Sequence, residues 1–151
     1  MKNSKYAFTM IEMVFVIVVL GILASVALPR FAATRDDAHI SKGRADISSI
    51  RSAIITERQS RLITGDSSWI SALSQNTTTL FDGNGTSSLL MYGIAADSAS
   101  GHWQSTSGVA YTYTVGATVL AFTYNNATGI FTCSTTAGTD EQDELCKDLI
   151  N

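Results

Sequence analysis

Glu12 is the single charged side chain in an otherwise apolar run, Phe8 to Leu28 (FTMIEMVFVIVVLGILASVAL). A charge at membrane depth costs about 2.5–3.5 kcal/mol on insertion scales, so it is seldom there idly. In low dielectric a carboxylate attracts an ammonium strongly, and ion pairing is the chemistry this residue offers. Cys133 and Cys146 are the two cysteines. In a cytosolic chain they would be free thiols, whereas beyond a membrane-targeting segment they would form a disulfide. Between them lie Asp140, Glu141, Asp143 and Glu144. This stretch reads as a solvated acidic loop; calcium binding is the alternative, and the spacing does not match an EF-hand. His39 and His102 lie far apart in sequence, and with the cysteines paired too few ligands remain for zinc. No G-x-S-x-G elbow, P-loop or G-x-G-x-x-G occurs, so neither catalysis nor a cofactor is read from the chain.

The elements that must position Glu12 begin with the run itself. Its 21 residues reach about 31 Å as a helix, close to the thickness of a bilayer core. Met1–Ala7 carries Lys2 and Lys5 and no acid, which favours keeping that end in the cytoplasm. A secretory signal peptide cut after Ser25-Val26-Ala27 is one reading, and a plain signal anchor is another. Both leave Glu12 unexplained. Gly21 and Ser25 stand four apart, a small-xxx-small spacing that lets membrane helices approach closely. Pro29 removes a helix hydrogen bond and should bend the helix, and Gly21 weakens the same segment.

From Arg30 to Ile63 there is no proline and one glycine, Gly43. Ala33, Ile40, Ile47, Ile50 and Ile54 recur at helical spacing and should cover one side of a sheet. Lys42–Asp46 and Glu57–Arg61 are four apart and support the helix by about 0.2–0.5 kcal/mol each. If both parts join, a helix of about 56 residues would run roughly 84 Å. Thr64-Gly65 is its expected stop.

The remainder, 64–151, reads as a globular head. Asp66-Ser67-Ser68 could cap a short helix at Trp69–Leu73. From Ser74 to Gly108 the chain reads mostly as loop with some strand. Strands are expected at Val109–Val115, Thr118–Tyr124 and Ile130–Cys133, separated by Gly116-Ala117 and 125–129, an antiparallel meander. Trp69, Trp103 and Tyr111 read as core or strand-face residues. Asn76, Asn84 and Asn126 fit N-x-[ST], a frequent chance match in a Thr-rich chain, and Asp82–Thr86 resembles an acidic-extended glycosylation sequon. A cystine loop between Cys133 and Cys146 would close about 14 residues, worth about 3 kcal/mol in the chain-entropy model. Residues 62–151 carry one Lys against eight Asp/Glu, so an isolated head should not grip nucleic acid.

Ala7-Phe8-Thr9-Met10-Ile11-Glu12 resembles the processing site of type IV prepilins and pseudopilins, with Ala7 where that family usually has Gly. The likeness extends through FTMIEMVFVIVVLGILASVALPRF, and its end, Ala27–Phe31, is similar to pilins of the mannose-sensitive haemagglutinin type. The resemblance implies an α+β, pilin-like fold. A long N-terminal helix, membrane half plus amphipathic half, would pack on a small antiparallel sheet with a C-terminal disulfide loop. It implies a leader at 1–7, a transmembrane or filament-core helix at 8–28, an amphipathic helix at 29–63 and the head at 64–151. Cleavage between Ala7 and Phe8 by a prepilin peptidase, N-methylation of Phe8, and pairing of Glu12 with the N-terminal amine of a neighbouring copy would follow. Melting between Gly21 and Pro29 in the filament is part of the same expectation. The implied partners are other copies of the chain, the peptidase and an inner-membrane assembly platform. The implied location is the bacterial inner membrane with the head in the periplasm, then a surface pilus. A pseudopilin of a type II secretion system is the alternative, and a membrane-anchored periplasmic binding module a more distant one.

Overall fold

The computed structural model of the chain describes residues 8–134 and 139–150, with the backbone alone described at 28–33. The leader with Ala7, and the side chains of Pro29 and Ala33, lie outside the described residues. Helix α1 spans Met10–Ile63. It contributes to two compact units, Met1–Arg35 and Asp36–Asn151.

In the first unit every described residue from Phe8 to Val26 is exposed. The stretch Met10–Ala27 has a mean hydropathy of 2.6 over 18 residues, long and apolar enough to cross a membrane. An apolar surface of this extent, with no cover from the rest of its unit, is one that lipid or other protein chains must shield.

In the second unit α1 ends where glycine permits a left-handed residue. Gly65 adopts φ +88°. Its N–H bonds the Leu62 carbonyl at 3.1 Å, and the Asp66 N–H bonds the Arg61 carbonyl at 3.0 Å. This pair of bonds is a Schellman closure. Two short strands, β1 (Thr79–Leu80) and β2 (Ile94–Ala95), pair antiparallel. The main sheet follows as a meander of β3 (Trp103–Ser107), β4 (Ala110–Val115), β5 (Thr118–Asn125) and β6 (Ile130–Cys133), in that spatial order. Helix α2, Asp140–Ile150, closes the chain.

Alternation along the strands builds the core. Tyr111, Tyr113 and Val115 of β4, and Leu120, Phe122 and Tyr124 of β5, all turn inward, because successive Cβ atoms leave opposite faces of a sheet. Ile47, Ile50 and Ile54 of α1 are buried in the same cluster, so the isoleucine stripe does face the sheet. Aromatic rings fill the centre: Phe81 stacks on Tyr111 at 4.5 Å, and Phe122 on Phe131 at 5.4 Å. Their polar tips tie elements together. Tyr113 donates to the His39 carbonyl (2.7 Å), Trp103 Nε1 to Asp46 (3.0 Å) and Tyr124 to the Ile70 carbonyl (2.9 Å). Burial pushes the Tyr113 and Tyr124 phenols up to about 12, and raises Tyr111 further.

Two local expectations are corrected and a third is located. Trp69–Leu73 is not helical. Its backbone is claimed by tertiary partners: the Leu73 N–H bonds the Gly108 carbonyl at 2.8 Å, and the Ile70 carbonyl takes the Tyr124 hydroxyl. Within 74–108, expected to be mostly loop with some strand, the strand is β3, whose sequence WQSTS has no second apolar residue to reveal alternation; pairing with β4 defines it. The acidic stretch before Cys146 is helical rather than loop. Thr139 and Gln142 form a reciprocal capping box, with Thr139 N–H to Gln142 Oε1 at 3.0 Å and Gln142 N–H to Thr139 Oγ1 at 3.4 Å. Asp140, Glu141 and Asp143 occupy the first turn, where the helix dipole favours them.

Candidate functional site

Phe8 and Thr9 precede the first helical residue, Met10. Thr9 is the N-cap of α1 and Glu12 its third residue, the S/T-x-x-E spacing of a capping box. Glu12 Oε2 accepts from the Thr9 N–H and from its hydroxyl, both at 3.2 Å. The Glu12 N–H in turn bonds Thr9 Oγ1 at 3.3 Å. Both bonds to the carboxylate land on Oε2, while Oε1 takes neither and Glu12 is exposed. A capped start therefore presents one carboxylate oxygen, four residues along from Phe8, at the head of an 18-residue apolar span. Thr9 carries no charge of its own, and among the described residues no cation pairs with the Glu12 carboxylate.

Further along the span, a Cβ added at Gly21 would meet nothing within 4 Å, so the helix face there is open. Ser25 is on an exposed face too, but its hydroxyl donates back to the Ile22 carbonyl at 2.7 Å. This bond satisfies the hydroxyl inside its own helix.

The head contains the disulfide between Cys133 and Cys146, with Cα atoms 5.7 Å apart. It joins the last strand to α2, and both cysteines belong to the buried core. Arg61 gathers the end of α1 onto the head. It pairs with Glu57, with Asp66 at 3.1 Å and with the Ser68 and Ser87 hydroxyls. The hydrogen bond that Arg61 donates to Glu57 holds its guanidinium above the ordinary range, and the Ser68 N–H holds the Asp66 carboxyl below the usual carboxylate range. The fold brings His39 against Gly101, the residue before His102, a proximity invisible in sequence. Among the described residues no three His, Cys, Asp or Glu side chains converge on a point that could hold a metal. Asn84 uses its side-chain amide within the fold, donating to Ser71 and accepting from the Thr86 and Ser87 N–H groups.

Comparison with known proteins adds one match. Residues 2–28 match the family described as the prokaryotic N-terminal methylation motif, which supports a type IV pilin-like or pseudopilin protein. No curated protein and no solved structure matches the chain.

Proposed function

We propose that this type IV pilin-like chain is the structural subunit of a type IV pilus-like filament, made as an inner-membrane precursor with its head in the periplasm. A prepilin peptidase cuts between Ala7 and Phe8, and Phe8 is then N-methylated. The new ammonium of one copy pairs with Glu12 of the next, which sets the axial register as copies add from the assembly platform. Gly21 and Pro29 bound the part of α1 that unwinds in the filament. The observation that carries this reading is the placement of Glu12: an exposed carboxylate, four residues from Phe8, heading an apolar span within the methylation motif. A carboxylate placed so would be expelled by lipid unless a counter-ion arrives with the neighbouring copy.

Intact-mass and peptide mass spectrometry of the membrane-extracted chain test the processing. The expected N-terminus is methylated Phe8; one at Leu28 would indicate a secreted protein and sink the proposal. Imaging of cells lacking the chain then separates the two filament classes. Loss of surface filaments supports the pilus subunit, whereas unchanged filaments with a secretion defect identify a pseudopilin of a type II secretion system.

A further inference from the structure

Within the second unit, α1 presents two unlike flanks. Ala53, Glu57, Ser60 and Thr64 turn toward 86–89 and line a hydroxyl-rich groove of about 640 Å³. Arg51 and Ile55 lie roughly half a turn around the helix from Ala53 and Ser60. With 129–132 they line a more apolar groove of about 270 Å³. This second groove runs beside β6, an edge strand of the sheet. Ile55 and Ile130 there are 54% and 56% exposed.

Beside its groove the first flank also carries a projection. Two residues beyond Leu89, Met91 and Tyr92 project with 89% and 82% exposure. The loop beneath them is held by the Leu90 N–H on the Phe81 carbonyl at 2.9 Å. Charge differs between them as well: Arg61 on the first flank is paired with Glu57 and Asp66. Arg44, Arg51 and Arg58 recur every seven residues, two helical turns, along the groove flank. Arg51 donates to the Phe131 and Ile150 carbonyls and Arg58 to the Ser67 carbonyl. Among the described residues no carboxylate forms an ion pair with Arg51 or Arg58. Beside the projection lies Asp82, whose Cβ a Cβ added at Gly93 would meet at 3.2 Å.

A projection on one flank and a groove on the other cannot meet within one head. They can meet between copies set side by side in the same orientation. Such a contact is heterologous: each copy added leaves a free projection and a free groove, so the contact propagates. A two-fold dimer would instead require one patch to complement itself. We propose that Met91 and Tyr92 of one copy seat in the groove of Arg51, Ile55 and Ile130 on the next copy, with the Tyr92 ring against the Arg51 guanidinium. The inference rests on the polymer reading above and names the head surfaces that it uses.

The test uses the full chain, assembled in cells and sheared from them as polymer. A chain carrying both Tyr92→Cys and Ile130→Cys is oxidised with copper–phenanthroline and run on a non-reducing gel; the native cysteines are already bridged. The expected result is a ladder of linked multimers, whereas a mixture of the two single variants stops at dimers. Polymer that forms normally yet runs as monomer after oxidation overturns the contact and leaves the polymer reading standing. Absence of polymer from the unsubstituted chain overturns both. Should the double variant fail to fold, Tyr92→Ala and Ile130→Thr decide, because both sites are exposed. Each is expected to lower polymer yield several-fold with an unchanged melting profile, and unchanged yield from both overturns the contact.

Discussion

At the residue scale, Glu12 has two partners to choose between. Within its own chain it accepts from Thr9, and that box fixes where α1 begins. On assembly it would exchange a neutral donor for an ammonium, a stronger partner in low dielectric. Thr9→Val removes the hydroxyl at nearly constant shape and should weaken the helix start by about 0.5–2 kcal/mol. The expected outcome is a lower yield of sheared polymer, restored by Thr9→Ser; equal yields for Val and Thr would show that the box does not matter to assembly. The buried phenols give a second residue-scale prediction. An exposed tyrosine titrates near 10, whereas Tyr113 and Tyr124 are pushed up to about 12 by burial. Below pH 10 both states hold their phenolic protons and the difference has no effect. As pH rises from 10 toward 12 the unfolded chain loses protons that the folded head retains, so stability falls. Circular dichroism followed with the 295 nm phenolate absorbance should show the buried tyrosines ionising in step with unfolding across that window.

At the element scale, α2 is held by the bridge and by a close approach to α1. A Cβ at Gly43 would lie 2.7 Å from Leu149 Cδ2 and 2.8 Å from Tyr113 Cε1. Glycine there is a packing requirement, since an alanine in a free helix would gain about 1 kcal/mol. Gly43→Ala should instead destabilise the head, by up to about 2 kcal/mol, because overpacking costs about 1–3 kcal/mol against that gain. Leu149→Ala in the same chain should relieve part of the loss, a coupling that thermal melts of the two single variants and the double variant would measure. Replacing Cys133 and Cys146 by serine frees a segment with a sequence separation of 13. A loss of about 3 kcal/mol is expected from the entropy returned to the unfolded chain, read as a lower denaturation midpoint. A reduced-loop variant as stable as the parent would show that the capping box and the Leu149 contact hold α2 without the bridge.

At the scale of the whole molecule, one chain combines a span that its own unit leaves uncovered with a head whose core is closed. On the proposed assembly, the span would tolerate one carboxylate because that carboxylate sits at its end, within reach of the neighbouring copy's amine. A second one, Val16→Asp, would lie near mid-span with no amine within reach. It should cost about 2.5–3.5 kcal/mol of insertion and move the chain from the carbonate-resistant membrane fraction to the soluble or degraded pool. Undiminished membrane retention would mean that the span does not sit at bilayer depth. Polymer length should shorten as salt rises if the arginine flank of one copy faces acidic residues of the next.

Much of this was legible before any coordinates. The apolar run, the isoleucine stripe and the strand alternation of Tyr111–Tyr124 are local repeats, and a repeat declares which face must leave water whatever covers it. The capping box at Thr139 and Gln142, with Leu145, Cys146, Leu149 and Ile150 at helical spacing, was a legible signal for α2 that the run of acids obscured. Other features carry no local signature. Ile70 and Leu73 gave up a helical turn because Tyr124 and Gly108, far along the chain, hold their backbone. β3 is a strand because β4 supplies its hydrogen bonds, and Gly43 is glycine because Tyr113 and Leu149 arrive there. Sequence determines what a segment can bury and which charges it carries; only the tertiary structure decides which distant partner satisfies each backbone group, and so which flanks remain open.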